Sequence, residues 1–211
     1  MNRLISLGIL ATVAFAQQPV RGDLYGHGTR GLILAHGGRF DEKSWRKQAE
    51  VFANSGFLVF ALHFRGDRHN PDGSPSAEGS TADNATDVLT AASHLRQLGA
   101  TTIYAVGGSL GGDAVGEADV RAPGAISRIV FLGSSGPDDP EKLTGRKLFI
   151  VARDDANDAG PRLPGITKSY ERTHQPKRLV ILDGSAHAQF LFDTDQGPHL
   201  LGEILRFLTA P

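Results

Sequence analysis

Six short apolar runs punctuate the chain, at residues 31–35, 57–62, 102–106, 129–132, 147–152 and 178–182. Each is continuous rather than alternating, the pattern of strands buried on both faces of a parallel sheet. Between them, apolar residues recur at helical spacing. Residues 44–55 put Trp45, Ala49, Phe52 and Ala53 on one face, and Gly56 follows as a C-terminal stop. Residues 82–98 carry Ala85, Val88, Leu89, Ala92 and Leu95 on one stripe, again closed by a glycine, Gly99. Near the end, residues 199–208 align Leu200, Leu201, Ile204, Leu205 and Leu208. Strand–helix alternation of this kind predicts an α/β fold, a doubly wound and mostly parallel sheet flanked by helices, with right-handed crossovers. Two stretches rich in turn formers, 63–80 and 152–165, read as loops; a loop as long as the first is usually functional or mobile in a compact domain. No insertion is long enough for a substantial cap domain.

The first residues break this pattern. Met1-Asn2-Arg3 is a short positive start, residues 4–16 are apolar or small throughout, and Ala14-Phe15-Ala16 offers a small-x-small cleavage site before polar Gln17-Gln18. That is the layout of a secretory signal peptide, and its 13-residue apolar run is shorter than the roughly 18 residues of a spanning helix. Residues 1–16 are therefore expected to be removed on export to a periplasmic or extracellular space, leaving one domain, 17–211, with no membrane span. The 211-residue chain is 40% hydrophobic and 21% charged, with a net charge of −1 and no Lys/Arg block, so nucleic acid is not an expected partner. It has no cysteine, which excludes disulfides, thiol nucleophiles and thiolate metal sites.

Candidate chemistry centres on Gly107-Gly108-Ser109-Leu110-Gly111, a Gly-x-Ser-x-Gly pentapeptide. The strand-like run 102–106 precedes it, and residues 112–118 can start a helix. A serine on such a strand-to-helix turn has its Oγ pushed out at the sheet edge, and the flanking glycines relieve crowding where backbones meet. A nucleophilic serine needs a base, and the base needs an orienting acid. His187 follows the run 178–182 after the Gly184-Ser185 turn, which places it at the same sheet edge as Ser109. His174 lies in a polar stretch ending a helix and reads as a surface residue. For the acid, Asp155 and Asp154 leave the run 147–152, and Asp138 and Asp139 follow the run before it. Backbone N–H groups stabilise a developing oxyanion. Leu110, just after the serine, supplies one; Ala35-His36-Gly37-Gly38-Arg39 supplies the other, from Gly38 or alternatively Arg39. His36 is expected to fix that loop by hydrogen bonding.

Two patterns are set aside. Gly26-His27-Gly28-Thr29-Arg30-Gly31 matches a dinucleotide fingerprint, but it precedes a strand where the fingerprint must follow one, so it reads as a turn. His27, His63, Asp67 and His69 match no compact metal-ligand spacing.

Over about residues 30–208 the chain resembles the α/β-hydrolases. The resemblance is carried by His36-Gly37-Gly38, Phe64-Arg65-Gly66, the Gly107–Gly111 elbow, an Asp after a later strand, and His187. It is similar to compact dienelactone-hydrolase-like and small esterase-like members, although this chain has serine where dienelactone hydrolases use cysteine, and His63-Phe64 where many members place an Asp before Arg-Gly. The resemblance implies a Ser–acid–His order, which excludes Asp193 and Asp195 beyond the histidine. It also implies that the acid ends a Gly-x-x-Asp-like turn; Ala152-Arg153-Asp154-Asp155 aligned on that turn selects Asp155. The implied activity is hydrolysis of carboxylic esters by Ser109, His187 and Asp155 through an acyl-enzyme, with a small-molecule ester as substrate and with no cofactor or metal ion. Thioester, amide or perhydrolase chemistry on the same three residues, or a non-catalytic binding role on the same fold, are the alternatives.

Overall fold

The computed structural model describes residues 20–77 and 80–211; the expected export segment, 1–16, lies outside them. In chain order the elements are β1 (Arg21–Tyr25), β2 (Arg30–Ala35), α1 (Arg46–Asn54), β3 (Leu58–His63), β4 (Asp67–His69), β5 (Pro75–Ala77), α2 (Thr81–Gln97), β6 (Thr102–Gly108), α3 (Leu110–Arg121), β7 (Arg128–Leu132), β8 (Arg146–Ala152), β9 (Ala156–Asn157), β10 (Gly160–Pro161), α4 (Leu163–Arg172), β11 (Lys177–Leu182) and α5 (Gly197–Thr209). Seven strands form the main sheet in the order β1-β3-β2-β6-β7-β8-β11. All neighbours pair parallel except β1, which runs antiparallel to β3 at one edge. This is the expected doubly wound α/β architecture, and the described residues contain no cap domain.

The six predicted runs coincide with the six parallel strands; β2, β3, β6, β7 and β8 are buried on both faces, while β11, at the sheet edge, leaves Arg178 and Ile181 exposed and buries only Leu182. Along β2, Ile33 and Ala35 face α2 and α3, where Val88, Leu95 and Val115 pack, while Leu32 and Leu34 face α1 and α5, where Trp45, Phe52, Leu200 and Ile204 pack. β1 escaped the sequence pattern because an edge strand has little to bury: Arg21 and Gly22 are exposed, and only Asp23 and Tyr25 are half-buried. The dinucleotide-like glycines are indeed a turn, Gly26 at φ 68° and Gly28 at φ 134° between β1 and β2. The two loops contain local hairpins. β4 pairs with β5 within 63–80, and β9 pairs with β10 within 152–165 before α4 starts. Their strands are too short and polar to show an apolar period.

The centre of the sheet leaves no clearance where β6 turns into α3. A Cβ on Gly107 would lie 2.4 Å from Gly111 O, and one on Gly111 would lie 2.2 Å from Ala35 O and 2.6 Å from His36 O. These are backbone atoms of β2, of the loop that follows it and of the first turn of α3, so they cannot yield cheaply. Gly111→Ala is expected to destabilise the fold by about 1–3 kcal/mol or more, as overpacked sites do. Urea unfolding checks this, and an unchanged midpoint would contradict the packing described.

Candidate active site

Ser109 sits at the C-terminal end of the central strand β6 with φ 48° and ψ −119°. A positive φ is costly for a residue with a Cβ and persists only where its surroundings impose it. Here the Ser109 N–H donates to Leu132 O at 2.9 Å, and Ser109 O accepts from Gly112 N at 2.8 Å, so the turn is pinned to β7 on one side and to the first turn of α3 on the other. Leu110 opens α3, and its N–H is one of the helix-start donors with no intrahelical acceptor.

His187 and Asp155 reach the same edge from the ends of β11 and β8. His187 Nδ1 lies 2.7 Å from Asp155 Oδ2, a hydrogen bond with the proton on Nδ1. That arrangement leaves Nε2 without a protein partner among the described residues. Asp155 is fully buried, its backbone O accepts from Arg162 N at 2.8 Å, and its Oδ1 lies 3.4 Å from Arg162 Nε. Neither of those two atoms has another partner, so the guanidinium offsets a buried carboxylate charge. Gly133, at φ 62°, leaves room for the imidazole; a Cβ there would stand 3.1 Å from His187 Cε1 and Nδ1.

The rival acids lie elsewhere. Asp154 is exposed, Asp139 pairs with Lys142 Nζ at 2.6 Å, and Asp138 is exposed on a cavity wall. His174 is exposed. The Ser109 hydroxyl itself makes no hydrogen bond among the described residues, so the serine and imidazole share one sheet edge without a direct bond.

The loop after β2 is held from two sides. Buried His36 places Nδ1 3.0 Å from Gly37 O and Nε2 3.0 Å from Asp67 Oδ2, and that same carboxylate oxygen accepts from Phe64 N at 2.9 Å. From the other side comes Gln189, a residue the sequence reading missed. Its Oε1 accepts from Gly37 N at 2.7 Å and its Nε2 donates to Ser44 Oγ at 2.6 Å, with the side chain 5% exposed. It also lies against the elbow, where a Cβ on Gly108 would come 2.9 Å from Oε1. The signal available was a lone amide in an otherwise apolar run, 188–192, two residues past His187. Gln189 uses up the Gly37 N–H, while the Gly38 N–H has no acceptor among the described residues. Glu42, His63 and Asp67 bring possible metal-ligand atoms within 4.8 Å of one another, but His63 Nδ1 is already bonded to Glu42 Oε2 at 3.0 Å and Asp67 to His36.

A cavity of about 590 Å³ adjoins Ser109 and Gly133. Asp113, from the first turn of α3, lines it and accepts from Ser134 Oγ at 2.7 Å. Burial pushes its carboxyl up from 3.8 to about 6; the Ser134 hydroxyl, Arg162 and His187 oppose that rise, and Asp138 adds to it.

The sequence matches the alpha/beta hydrolase fold family over residues 31–196, and the chain belongs to that family. No curated protein matches it. Among solved structures it is similar to a monoacylglycerol lipase of Paleococcus ferrophilus, with 15% identity, TM-score 0.74, and coverage of 90% of this chain and 98% of that one. It is also similar to a dienelactone hydrolase of Anabaena variabilis, with 19% identity, TM-score 0.71, and coverage of 92% and 93%. An esterase of a Rhodococcus species matches with 16% identity, TM-score 0.66, and coverage of 89% and 93%. At these identities the likeness is one of fold.

The Asp113 shift has a consequence for stability. The folded protein holds this proton more tightly than the unfolded chain does. Its stabilising contribution is therefore complete below about pH 4 and is lost as the pH rises through about 6. Asp113→Asn removes that loss. Relative to wild type, the variant is expected to gain on the order of 1–3 kcal/mol between pH 4 and 7. Urea unfolding at both pH values measures it, and parallel pH profiles for the two proteins would contradict it.

Proposed function

We propose that the protein is a serine hydrolase that cleaves carboxylic esters, with Ser109 as nucleophile, His187 as general base and acid, and Asp155 as the orienting acid. The observation that carries this reading is the 2.7 Å bond from His187 to a fully buried carboxylate, at the sheet edge where Ser109 is held at positive φ. Asp155 fixes the tautomer with Nδ1 protonated, which frees Nε2 to take the Ser109 proton. Ser109 Oγ then attacks the ester carbonyl carbon. The negative charge on the carbonyl oxygen is met by the N–H groups of Leu110 and Gly38, because Gln189 holds the Gly37 N–H. The carbon–oxygen bond to the alcohol breaks as Nε2 returns the proton to the leaving oxygen. Water, deprotonated by the same nitrogen, attacks the acyl-enzyme, and Ser109 leaves with that proton. The balance is ester plus water to carboxylic acid plus alcohol. The missing Oγ–Nε2 bond accords with catalytic contacts that tighten only around substrate.

Arg162 supports the role of Asp155 by offsetting its buried charge through every protonation state of the imidazole. Export through residues 1–16 is part of the same proposal and rests on the charge, apolar run and small-residue site of that segment. Thioester and amide carbonyls would meet the same groups, and matched substrates would rank the three.

On p-nitrophenyl acetate, Ser109→Ala is expected to lose a factor on the order of 10³ or more in kcat, and Asp155→Asn up to about 10⁴. Equal rates for wild type and Ser109→Ala would instead favour a non-catalytic role on this fold.

A further inference from the structure

The cavity beside Ser109 has a polar wall. Its described lining includes Ser135, Asp138, Arg162 and the Glu117–Arg121 pair, and apolar side chains are the minority, Ile166 the largest of them. Several of these polar groups have bonding capacity to spare. Asp138 is exposed and has no hydrogen bond or ion pair among the described residues, and the Ser135 hydroxyl likewise has none. The Arg162 side chain meets Asp155 only through Nε, leaving its two terminal amines without protein acceptors among the described residues.

An aliphatic chain laid in this space would strip water from Asp138 and Arg162 and return no hydrogen bond, a penalty that works against burying it on the lesser, apolar part of the wall. The signs on the wall are mixed. A plain anion would suit Arg162 but not Asp138, and a plain cation the reverse. A hydroxyl is donor and acceptor at once and satisfies both.

We propose that this cavity receives the hydroxylated portion of a short ester, such as an acetylated polyol or sugar or the ester of a polyhydroxy acid, rather than a fatty chain. The inference rests on the ester-hydrolase reading of Ser109 and names the substrate class of that site.

The test uses the wild-type protein and two matched pairs. Glucose 6-acetate against hexyl acetate varies the alcohol, and ethyl gluconate against ethyl hexanoate varies the acyl group. The expected result is a kcat/KM about tenfold or more in favour of the hydroxylated member in at least one pair; that pair identifies which side of the ester occupies the cavity. Asp138→Leu should move the same ratio about tenfold toward the apolar member. Turnover of the esters with the apolar member equal or better in both pairs overturns the substrate class and leaves the Ser109 reading standing. A preference that Asp138→Leu does not move overturns the assignment to this cavity. No turnover of any ester, with Ser109→Ala indistinguishable from wild type, removes the hydrolase reading and this inference with it.

Discussion

Ser109 can hold φ 48° only because the backbone around it is packed without clearance. Gly107 and Gly111 touch each other's turn, and Gly111 rests on the carbonyls of Ala35 and His36 at the end of β2. The strain of the elbow is therefore carried by three neighbouring strands, β2, β6 and β7, which pair in parallel in the middle of the sheet. The same contact fixes where the site lies. β2 ends beside the elbow, so its loop delivers Gly38 to the side of Ser109 opposite the loops that deliver His187 and Asp155. If any of these glycines were to gain a side chain, the serine, the helix start at Leu110 and the Gly38 loop would all lose their positions together.

Gln189 adds a second tie to this arrangement. It lies just past His187 in the chain but bonds to Gly37 and Ser44, which belong to the opposite loop and to the approach to α1. One buried amide thus joins the imidazole loop to the Gly38 loop across the elbow. His36 and Asp67 hold the same loop from behind. The electrostatics follow from burial. Asp155 is sealed away from water and leans on Arg162, whereas Asp113, on the cavity wall, has only a hydroxyl as a direct partner, and burial pushes its carboxyl up to about 6.

Five of the six parallel strands could be read from the chain because burial on both faces leaves runs such as 57–62 and 147–152 with no polar alternation to mistake; β11, at the edge, showed itself only through the apolar run 179–182. β1 could not, because its Arg-Gly-Asp-Leu-Tyr sequence buries too little to leave a pattern. Local spacing pointed to Ser109 and Leu110, since a strand, a turn and a helix start follow one another in sequence. Asp155 against Asp154 is a different kind of question. Adjacent residues have the same spacing and composition, and only the turn after β8 determines which of them is buried and which faces water. Gln189 depends on contacts 152 and 145 residues away, which no periodicity encodes.

We propose the Ser109 hydroxyl, activated by His187, as the nucleophile of this protein. Reaction of the folded protein with a fluorophosphonate, followed by intact-mass and peptide mapping, checks that assignment. One adduct per chain on the peptide containing Ser109, abolished in Ser109→Ala and strongly slowed in His187→Ala, is the predicted result. No adduct, or labelling that persists in Ser109→Ala at another hydroxyl such as Ser134, would contradict it.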